Sequence, residues 1–279
     1  MQKGLLKNMK NRFSLAMCLY EKDNPAFFKL SIDSIIQQTV LPNQIVLVVD
    51  GPIPSELENV IVYFKSHFST LEVIYLEKNL GHGEARRIGF EKCNNSLIAI
   101  MDSDDICVLD RFQKQLDAFE KFDCDIVGGQ IDEFIDNPER SIGKRIVPLT
   151  NPEIKKFAKK RSPMNQVTIM IKKEVYTECG GYLDWYQNED YYLWIRMILK
   201  QKTFLNLNDV LVKVRVGKDM YSRRGGYKYF QSEKKLQKYM LKNKLISFPR
   251  YIINVAIRFI VQVAMTNRMR QLFFEKIRG

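Results

Sequence analysis

The fold is decided by the stretch Leu97-Ile98-Ala99-Ile100-Met101-Asp102-Ser103-Asp104-Asp105. Its five apolar residues suffice for one buried strand, and three carboxylates follow within four positions. A strand that is apolar throughout is typical of a sheet covered on both faces, where ligands bind at the carboxyl ends of the strands. The stretch therefore predicts a ligand site at the end of a central strand.

The three acids after this strand have two interpretations. Two like charges ~4 Å apart repel by roughly 4 kcal/mol at an effective dielectric of 20, so a cation is expected beside them. An all-oxygen cluster suits a hard divalent ion such as Mg²⁺ or Mn²⁺. The alternative is a polar loop that caps the next helix through Asp105 or Asp110.

Strand and helix patterns alternate on both sides of this stretch in the first half of the chain. Apolar runs predict strands at 13–19, 45–49, 71–76 and 97–101. Amphipathic segments between and after them predict helices at 25–38, 55–68, 83–93 and 109–122. Such repeated units predict an α/β fold with a parallel, doubly wound sheet and right-handed crossovers.

The second half is less regular. Short strands are predicted at 131–135 and 142–147, around a turn at 136–139, and further strands at 166–172, 204–207 and 210–216. Helices are predicted from Pro152 to residue 159, with Asn151 as the cap, and over 189–199. A mixed sheet with an irregular second half follows from this pattern.

The net charge of +12 lies entirely at the carboxyl-terminal end. Residues 223–279 hold 14 Lys and Arg against 2 Asp and Glu, so residues 1–222, with 30 of each sign, are neutral. We therefore divide the chain into a catalytic domain at 1–222 and a basic amphipathic helical extension at 223–279. The neutral main body argues against nucleic-acid binding.

Two apolar and basic helices are predicted in the extension, at 227–241 and 251–265. Basic faces suit phosphate headgroups and apolar faces suit acyl chains, so an anionic membrane surface is an expected partner. The alternative is a helical cap packed on the catalytic domain or on a second copy, and both can hold together. Five scattered cysteines and an amino terminus without an apolar core predict a cytoplasmic protein.

Five segments stand out in chain order: FSLAMCLY at 13–20, QQT with QIVLVVDG at 37–51, NLG with AR at 79–86, MDSDD at 101–105 and NEDYYLW at 188–194. Together they resemble the anchors of family 2 glycosyltransferases of the GT-A fold, in the bacterial branch that builds capsule, exopolysaccharide or O-antigen units. The resemblance runs from about residue 13 to residue 229. Two positions depart from it, because Val49 replaces a frequent first acid and Arg87 replaces a frequent Asn.

The resemblance implies a Rossmann-like, mixed and mainly parallel sheet, and a nucleoside diphosphate sugar, most often a UDP-sugar, as donor. Asp50 would accept the N–H of the base, or else serve as a turn acid before Gly51. Arg86 would bind donor oxygens, and Arg87 would add positive charge near the phosphates. Further donor-site residues are Cys18, Tyr20, Asp102 and Ser103.

The same resemblance implies the catalytic chemistry. Asp104 would hold Mn²⁺ or Mg²⁺ as a Lewis acid, with Asp102 bridging ribose and metal. Asp190 matches the general base and Glu189 would position it or the acceptor, although an acid pair at a helix start also complements the helix dipole. A single displacement would invert the anomeric configuration. The acceptor would be a lipid-linked saccharide at the inner face of the bacterial plasma membrane.

Arg223 and Arg224 precede paired glycines. They suggest a mobile loop that closes on a phosphate of the donor or of a lipid carrier, or else a basic linker. A sugar nucleotidyltransferase is a rival enzyme class, but its Gly-rich phosphate loop is missing from residues 20–24. A non-catalytic membrane-surface protein is the other rival, and the acid-rich site disfavours it.

Overall fold

The computed structural model describes residues 12–217, 225–266 and 269–270. Within them one nine-stranded sheet forms the centre of the molecule. Its strands are β1 (Phe13–Leu19), β2 (Gln44–Val49), β3 (Leu71–Tyr75), β4 (Leu97–Met101), β5 (Ile106–Cys107), β6 (Ile126–Phe134), β7 (Gly143–Arg145), β8 (Met170–Lys172) and β9 (Phe204–Arg215).

Helices cover both faces of this sheet. They are α1 (Pro25–Ile36), α2 (Ser55–His67), α3 (His82–Lys92), α4 (Arg111–Lys121), α5 (Asn151–Phe157), α6 (Lys173–Glu178), α7 (Glu189–Leu199), α8 (Tyr227–Lys242) and α9 (Phe248–Phe259). A 3₁₀ turn at Gln166–Thr168 precedes β8, and a π-helical turn at Ile260–Ala264 continues α9.

The strand order is β3-β2-β1-β4-β8-β6-β9-β5, with β7 on β6. Strands β1 to β4 pair in parallel. Strand β8 is antiparallel to both neighbours, β9 is parallel to β6, and β5 is antiparallel to β9. The predicted α/β fold with a mixed sheet is confirmed, and its regular parallel part is β1 to β4.

The core has two layers because successive residues of a strand point to opposite faces. Leu15 and Met17 of β1 pack on one side with α1 and α2, whereas Ala16 packs on the other side. The second layer contains α3, α6 and α7, and it also takes up Leu236 and Met240 of α8. Helix α8 therefore packs as a cap on the same core as α7, the helix that begins with Glu189 and Asp190.

Local sequence explains where the first helices begin. The Asn24 side chain accepts the backbone N–H groups of Ala26 and Phe27 at 2.9 and 3.2 Å, and Pro25 starts α1. The predicted strands at 13–19 and 97–101 and the helix at 189–199 have the observed bounds. The other predicted bounds in the first half differ from the observed ones by one or two residues.

Several predictions for the second half are wrong in detail. The predicted strand at 166–172 is a 3₁₀ turn and then β8, because the Thr168 hydroxyl and N–H both donate to the Asn165 carbonyl. Asn151 does not cap α5, since its side chain accepts the Phe204 N–H at 3.1 Å. Thr150 occupies the cap position and is tied to Glu153 by two hydrogen bonds.

Three other elements were incompletely predicted. Residues 204–207 and 210–216 form the single strand β9, whose pairing with β6 shifts register near Gln130. Helix α6 was not predicted, and α9 starts at Phe248, with Pro249 in its first turn. Among the described residues, no helix is long and apolar enough to cross a membrane.

Candidate functional site

The carboxyl ends of β1, β2 and β4 meet at one edge of the sheet, and acids follow two of these strands. Cys18 lies near the end of β1, where burial raises the pKa of its thiol to about 12. The thiol is therefore neutral and contributes shape rather than charge. Tyr20 follows it on the surface and is exposed.

Asp50, at the end of β2, organises the segment that leads into α3. Its buried carboxylate accepts the Leu80 N–H at 2.7 Å and the Gly81 N–H at 3.0 Å. A side chain at Gly51, where φ is +91°, would place its Cβ 2.8 Å from the Asn79 nitrogen, so glycine is required there. A carboxylate has about four acceptor positions, so Asp50 can still accept a further N–H.

Arg86 of α3 joins two groups of acids. Its Nη2 lies 2.7 Å from Asp102 Oδ1, and its Nη1 lies 3.6 Å from Glu189 Oε1. Burial alone would lower the pKa of Arg86, but the carboxylates of Asp102 and Glu189 outweigh it and raise that pKa. One acid after β4 and one acid of α7 thus share a single buried guanidinium.

Arg87 does not extend toward these acids. It lies partly exposed on α3 and pairs with Glu84 and Glu91 of the same helix. The prediction that Arg87 adds positive charge near the phosphates is therefore not supported. Its three- and four-residue spacing from these glutamates is the usual spacing of ion pairs on a helix surface.

The acids after β4 differ in their surroundings. Burial would raise the pKa of Asp102, but the charges of Arg86 and His82 outweigh it and hold that pKa below its usual range. Burial, followed by the charges of Asp104 and Asp102, holds the pKa of Asp105 well above its usual range. Two acids of the same cluster therefore have pKa values shifted in opposite directions, that of Asp102 downward and that of Asp105 upward.

The helix-capping interpretation of these acids does not match the contacts. Asp105 Oδ1 accepts the Arg215 N–H of β9 at 2.8 Å, so it ties the loop to the sheet. Asp110 occupies the cap position of α4 without a side-chain cap bond, and it pairs with Lys114 at 3.0 Å. Asp104 remains beside Asp102 on the loop, and Ser103 between them is buried.

Two further residues of the site were not assigned from the sequence. Burial, with added repulsion from Asp104 and Asp102, raises the pKa of Asp23 to about 6. His82 starts α3, and its Nε2 lies 4.0 Å from Asp102 Oδ1. His82 directly follows NLG at 79–81, one of the five segments that carry the family resemblance, and this position could have indicated it.

Few side chains of the site are available as metal ligands. Among residues 12–217, 225–266 and 269–270, no three His, Cys, Asp or Glu side chains are arranged as metal ligands. Asp102 and Asp104 offer carboxylate oxygens, and their charges add to the burial that raises the pKa of Asp23 and that of Asp105. Mg²⁺ sites commonly use one or two carboxylates and complete their shell with substrate phosphates, so the residues present fit such an ion.

Glu189 and Asp190 open α7, and the charge of Arg86 acts on both carboxylates. Burial raises the pKa of Asp190, an effect that Arg86 and Arg145 oppose and Glu233 reinforces. Burial and the neighbouring Asp190 also raise the pKa of Glu189. A carboxylate whose pKa is raised is a stronger base than an ordinary aspartate or glutamate, which suits a proton acceptor.

A cleft of about 620 Å³ is lined by Glu189, the first residue of this acid pair. One wall is the segment 80–84 at the start of α3, and the other is the loop 182–187, with Glu189 between them. Gln187 in this loop has φ +52°, a left-handed conformation that non-glycine residues rarely adopt. Strained backbone of this kind concentrates at functional sites.

Helix α8 holds the loop 182–188 in place through one serine. The Ser232 hydroxyl donates to the Tyr186 carbonyl at 2.6 Å and accepts from Asn188 Nδ2 at 3.2 Å. Trp185 Nε1 donates to the Ser232 carbonyl at 3.2 Å. Lys235 of the same helix stacks on the Trp185 ring at 4.2 Å. Sequence reasoning missed this support because 44 or more residues separate the partners.

The predicted phosphate-binding residues Arg223 and Arg224 lie outside the described residues.

Comparison with known proteins identifies relatives of the whole chain. The family model "Glycosyl transferase family 2" matches residues 14–177. An amylovoran biosynthesis glycosyltransferase of Erwinia amylovora is 35% identical over 95% of this chain and 99% of its own length. A UDP-Gal:alpha-D-GlcNAc-diphosphoundecaprenol beta-1,3-galactosyltransferase of Escherichia coli is also 35% identical, over 95% of this chain and 96% of its own.

Solved structures share the fold. The Staphylococcus aureus protein TarS, residues 1–349 in complex with UDP-GlcNAc, superposes with a TM-score of 0.67 at 14% identity, over 89% of this chain and 72% of that chain. A mannosyltransferase of Pyrobaculum calidifontis in complex with GDP-Man and Mn²⁺ gives a TM-score of 0.63 at 13% identity, over 96% and 76%. The expected glycosyltransferase architecture is thereby confirmed.

Proposed function

The chain belongs to glycosyltransferase family 2, and on that premise we propose that it moves a sugar from a UDP-sugar to a hydroxyl of a lipid-linked saccharide, with inversion. The observation that carries this proposal is the convergence of the two halves of the site on Arg86. This guanidinium contacts Asp102 at 2.7 Å and Glu189 at 3.6 Å. A donor bound beside Asp102 and an acceptor bound beside Glu189 would therefore lie on either side of the Arg86 side chain.

The donor and the acceptor are supported by different relatives. The Escherichia coli relative is named for UDP-Gal and for a diphosphoundecaprenol-linked acceptor. The TarS structure contains UDP-GlcNAc. The Erwinia amylovora relative is named for amylovoran biosynthesis, which supports a role in bacterial polysaccharide synthesis. A lipid-linked acceptor in turn supports a cytoplasmic, peripheral position at the inner face of the plasma membrane.

In the proposed reaction an acceptor hydroxyl oxygen attacks the anomeric carbon as the bond from that carbon to the diphosphate oxygen breaks. Asp190 takes the hydroxyl proton, and UDP leaves with the electron pair of the broken bond. Glu189 orients the acceptor or the base, and Arg86 supplies charge-assisted hydrogen bonds to donor oxygens. One displacement from the face opposite the leaving group inverts the anomeric carbon.

The donor is held at the ends of β1, β2 and β4. Asp50 accepts an N–H of the base, while Cys18, Tyr20 and Ser103 line the donor site. Asp104, with Asp102, would hold Mn²⁺ or Mg²⁺, which when bound stabilises the charge that develops on the diphosphate. The Mn²⁺ in the Pyrobaculum calidifontis structure supports this assignment. Arg223 and Arg224 would approach a phosphate from the start of the 223–279 extension.

The test is a donor screen that measures UDP release against a sugar linked to a lipid diphosphate. We expect release with one UDP-sugar, dependent on both the acceptor and a divalent ion. Full activity in chelator would refute the metal assignment. Transfer from a GDP-sugar alone, with no UDP-sugar accepted, would refute the donor class.

A further inference from the structure

Helix α9 and the π-helical turn after it expose their apolar residues and bury their polar ones. A helix on a protein surface normally buries its apolar side and exposes its polar side. In the segment 251–264 all seven exposed positions, namely 252, 253, 256, 257, 259, 260 and 264, carry apolar residues. Its polar residues Tyr251, Asn254, Arg258 and Gln262 are buried or partly buried.

The inward side of α9 is held by polar contacts. Asn254 Nδ2 donates at 2.8 Å to Gln237 of α8 and at 2.8 Å to a backbone carbonyl just after α5. Arg258 pairs with Glu233 of α8 and donates at 2.8 Å to the next carbonyl after α5. These partners fix the rotation of the helix, so the apolar side cannot turn inward without leaving buried polar groups unpaired.

The outward side consists of Ile252, Ile253, Ile257, Phe259 and Ile260, and we call it the outer face. Each of these side chains is 46–53% exposed. Scattered exposed apolar residues are common, but a contiguous exposed apolar surface marks a contact with lipid or protein.

The net charge of the segment that carries the outer face indicates which contact this face makes. Residues 225–266 carry eight Lys and Arg against one acid, Glu233, and that acid is already paired with Arg258. Lys234, Lys238 and Lys242 of α8 are exposed. An apolar face on a pair of helices that keeps seven further cations matches an anionic lipid surface, whereas two like copies would bring like charges together.

We propose that the outer face of α9 inserts into the acyl region of an anionic lipid leaflet, with the helix lying in the plane of the membrane. This inference extends the proposed function and rests on it, because binding to the membrane would bring the enzyme to the surface that holds its lipid-linked acceptor. The inserted part is an interfacial helix, consistent with the lack of a spanning helix among the described residues.

The experiment is flotation of the full chain with vesicles of phosphatidylethanolamine and anionic phosphatidylglycerol. The double variant Ile252→Ser/Ile257→Ser should reduce the bound fraction at least about tenfold, because each lost isoleucine removes much of the apolar contribution to binding. The matched control is Ile135→Ser/Ile142→Ser, whose isoleucines are 48% and 53% exposed against 49% and 53% for the test pair. The control should float like the wild type.

A second measurement does not depend on loss of binding. Both native tryptophans, Trp185 and Trp194, are buried, so a new surface tryptophan reports its own environment. Ile257→Trp should be quenched by lipids brominated on their acyl chains, and Ile142→Trp should not. Equal quenching of both, or of neither, overturns the proposal.

Other outcomes also decide the question. Wild-type binding that disappears entirely at high salt would show attraction of the cations alone and would overturn insertion. A lipid-free dimer that the Ile252→Ser/Ile257→Ser variant dissociates would assign the outer face to a second copy. Transfer to a water-soluble acceptor analogue separates the two proposals. The Ile252→Ser/Ile257→Ser variant should keep this activity even when it no longer binds vesicles. If the wild type also fails to transfer, the proposed function is wrong.

Discussion

The molecule has two halves, which we name for their proposed roles: the donor half, residues 12–125, and the acceptor half, residues 126–266. They place the acids of the candidate site by different means. In the donor half, Asp50 and Asp102 directly follow buried parallel strands, so the strand pattern alone brings them together. In the acceptor half, the loop before Glu189 and Asp190 has a strained residue and depends on hydrogen bonds from α8. The first arrangement is local in sequence, and the second is assembled over long distances.

This difference has a functional consequence. Donor binding should depend on few residues, each of which acts directly on the nucleotide or its metal. Acceptor use should also depend on residues that never touch a substrate, because α8 fixes the shape of the cleft. Substitutions in the two halves should therefore separate into effects on donor affinity and effects on acceptor use.

The largest effect is expected at the junction of the halves. Asp190→Asn keeps the shape of the side chain but removes the proton acceptor, so turnover should fall by about 10²–10⁴-fold. UDP affinity, measured by calorimetry, should barely change because Asp190 lies outside the donor site. Asp123→Asn, at a fully exposed acid, is the matched control and should keep wild-type turnover.

The pH profile distinguishes a base from a helix-end charge. A base must be deprotonated to act, so the rate should fall as the pH drops through the pKa of Asp190. Burial raises that pKa, and the fall should begin above the usual range of an aspartate, about 3.9. A near-wild-type rate in Asp190→Asn, with this profile unchanged, would return Asp190 to a helix-capping role.

In the donor half, Asp104→Ala should abolish the part of UDP affinity that depends on Mn²⁺. Loss of an outer-shell partner alone commonly weakens metal binding by about 10–100-fold, so loss of a ligand should cost at least as much. Calorimetry with UDP, with and without Mn²⁺, measures the difference. Asp105→Asn is the neighbouring control, since its amide oxygen can still accept the Arg215 N–H. An equal loss in both variants would indicate a collapsed loop instead of a metal site.

A smaller effect is expected in the acceptor half from Ser232→Ala. The change removes the hydrogen bonds to Tyr186 and Asn188, each worth about 1 kcal/mol, so KM for the acceptor should rise by roughly 5–30-fold. UDP affinity should stay the same. Gln231→Ala, at an exposed neighbour on α8, serves as the control. Parallel losses of donor and acceptor binding would show that α8 only stabilises the fold.

The same contrast explains what could be predicted from the sequence. Strands β1 and β4 and helix α7 were predicted with their observed bounds, because continuous apolar runs and helical periodicity are local signals. The 3₁₀ turn at 166–168 was predicted as strand, because the apolar run at 169–171 follows it directly and the side-chain bond from Thr168 to the Asn165 carbonyl has no sequence signal. Local sequence pattern does not predict the secondary structure where a distant contact or a side-chain hydrogen bond determines the backbone conformation.

The site follows the same rule. Asp102 and Asp104 stand out because they end a buried strand, whereas Asp23 lies in a loop and joins them only through folding. Ser232 and the inverted polarity of α9 have no sequence signal of their own. The apolar residues of 251–265 were visible, but which side faces outward depends on the partners of Asn254 and Arg258.

The most direct test of the central claim is the anomeric configuration of the product. A donor whose sugar is α-linked to UDP should give a β-linked product, read from the coupling constant of the anomeric proton in the NMR spectrum. This result is required if an acceptor hydroxyl, deprotonated by Asp190, displaces UDP in one step. An α-linked product would contradict the account, because retention cannot arise from a single displacement with Asp190 as the base.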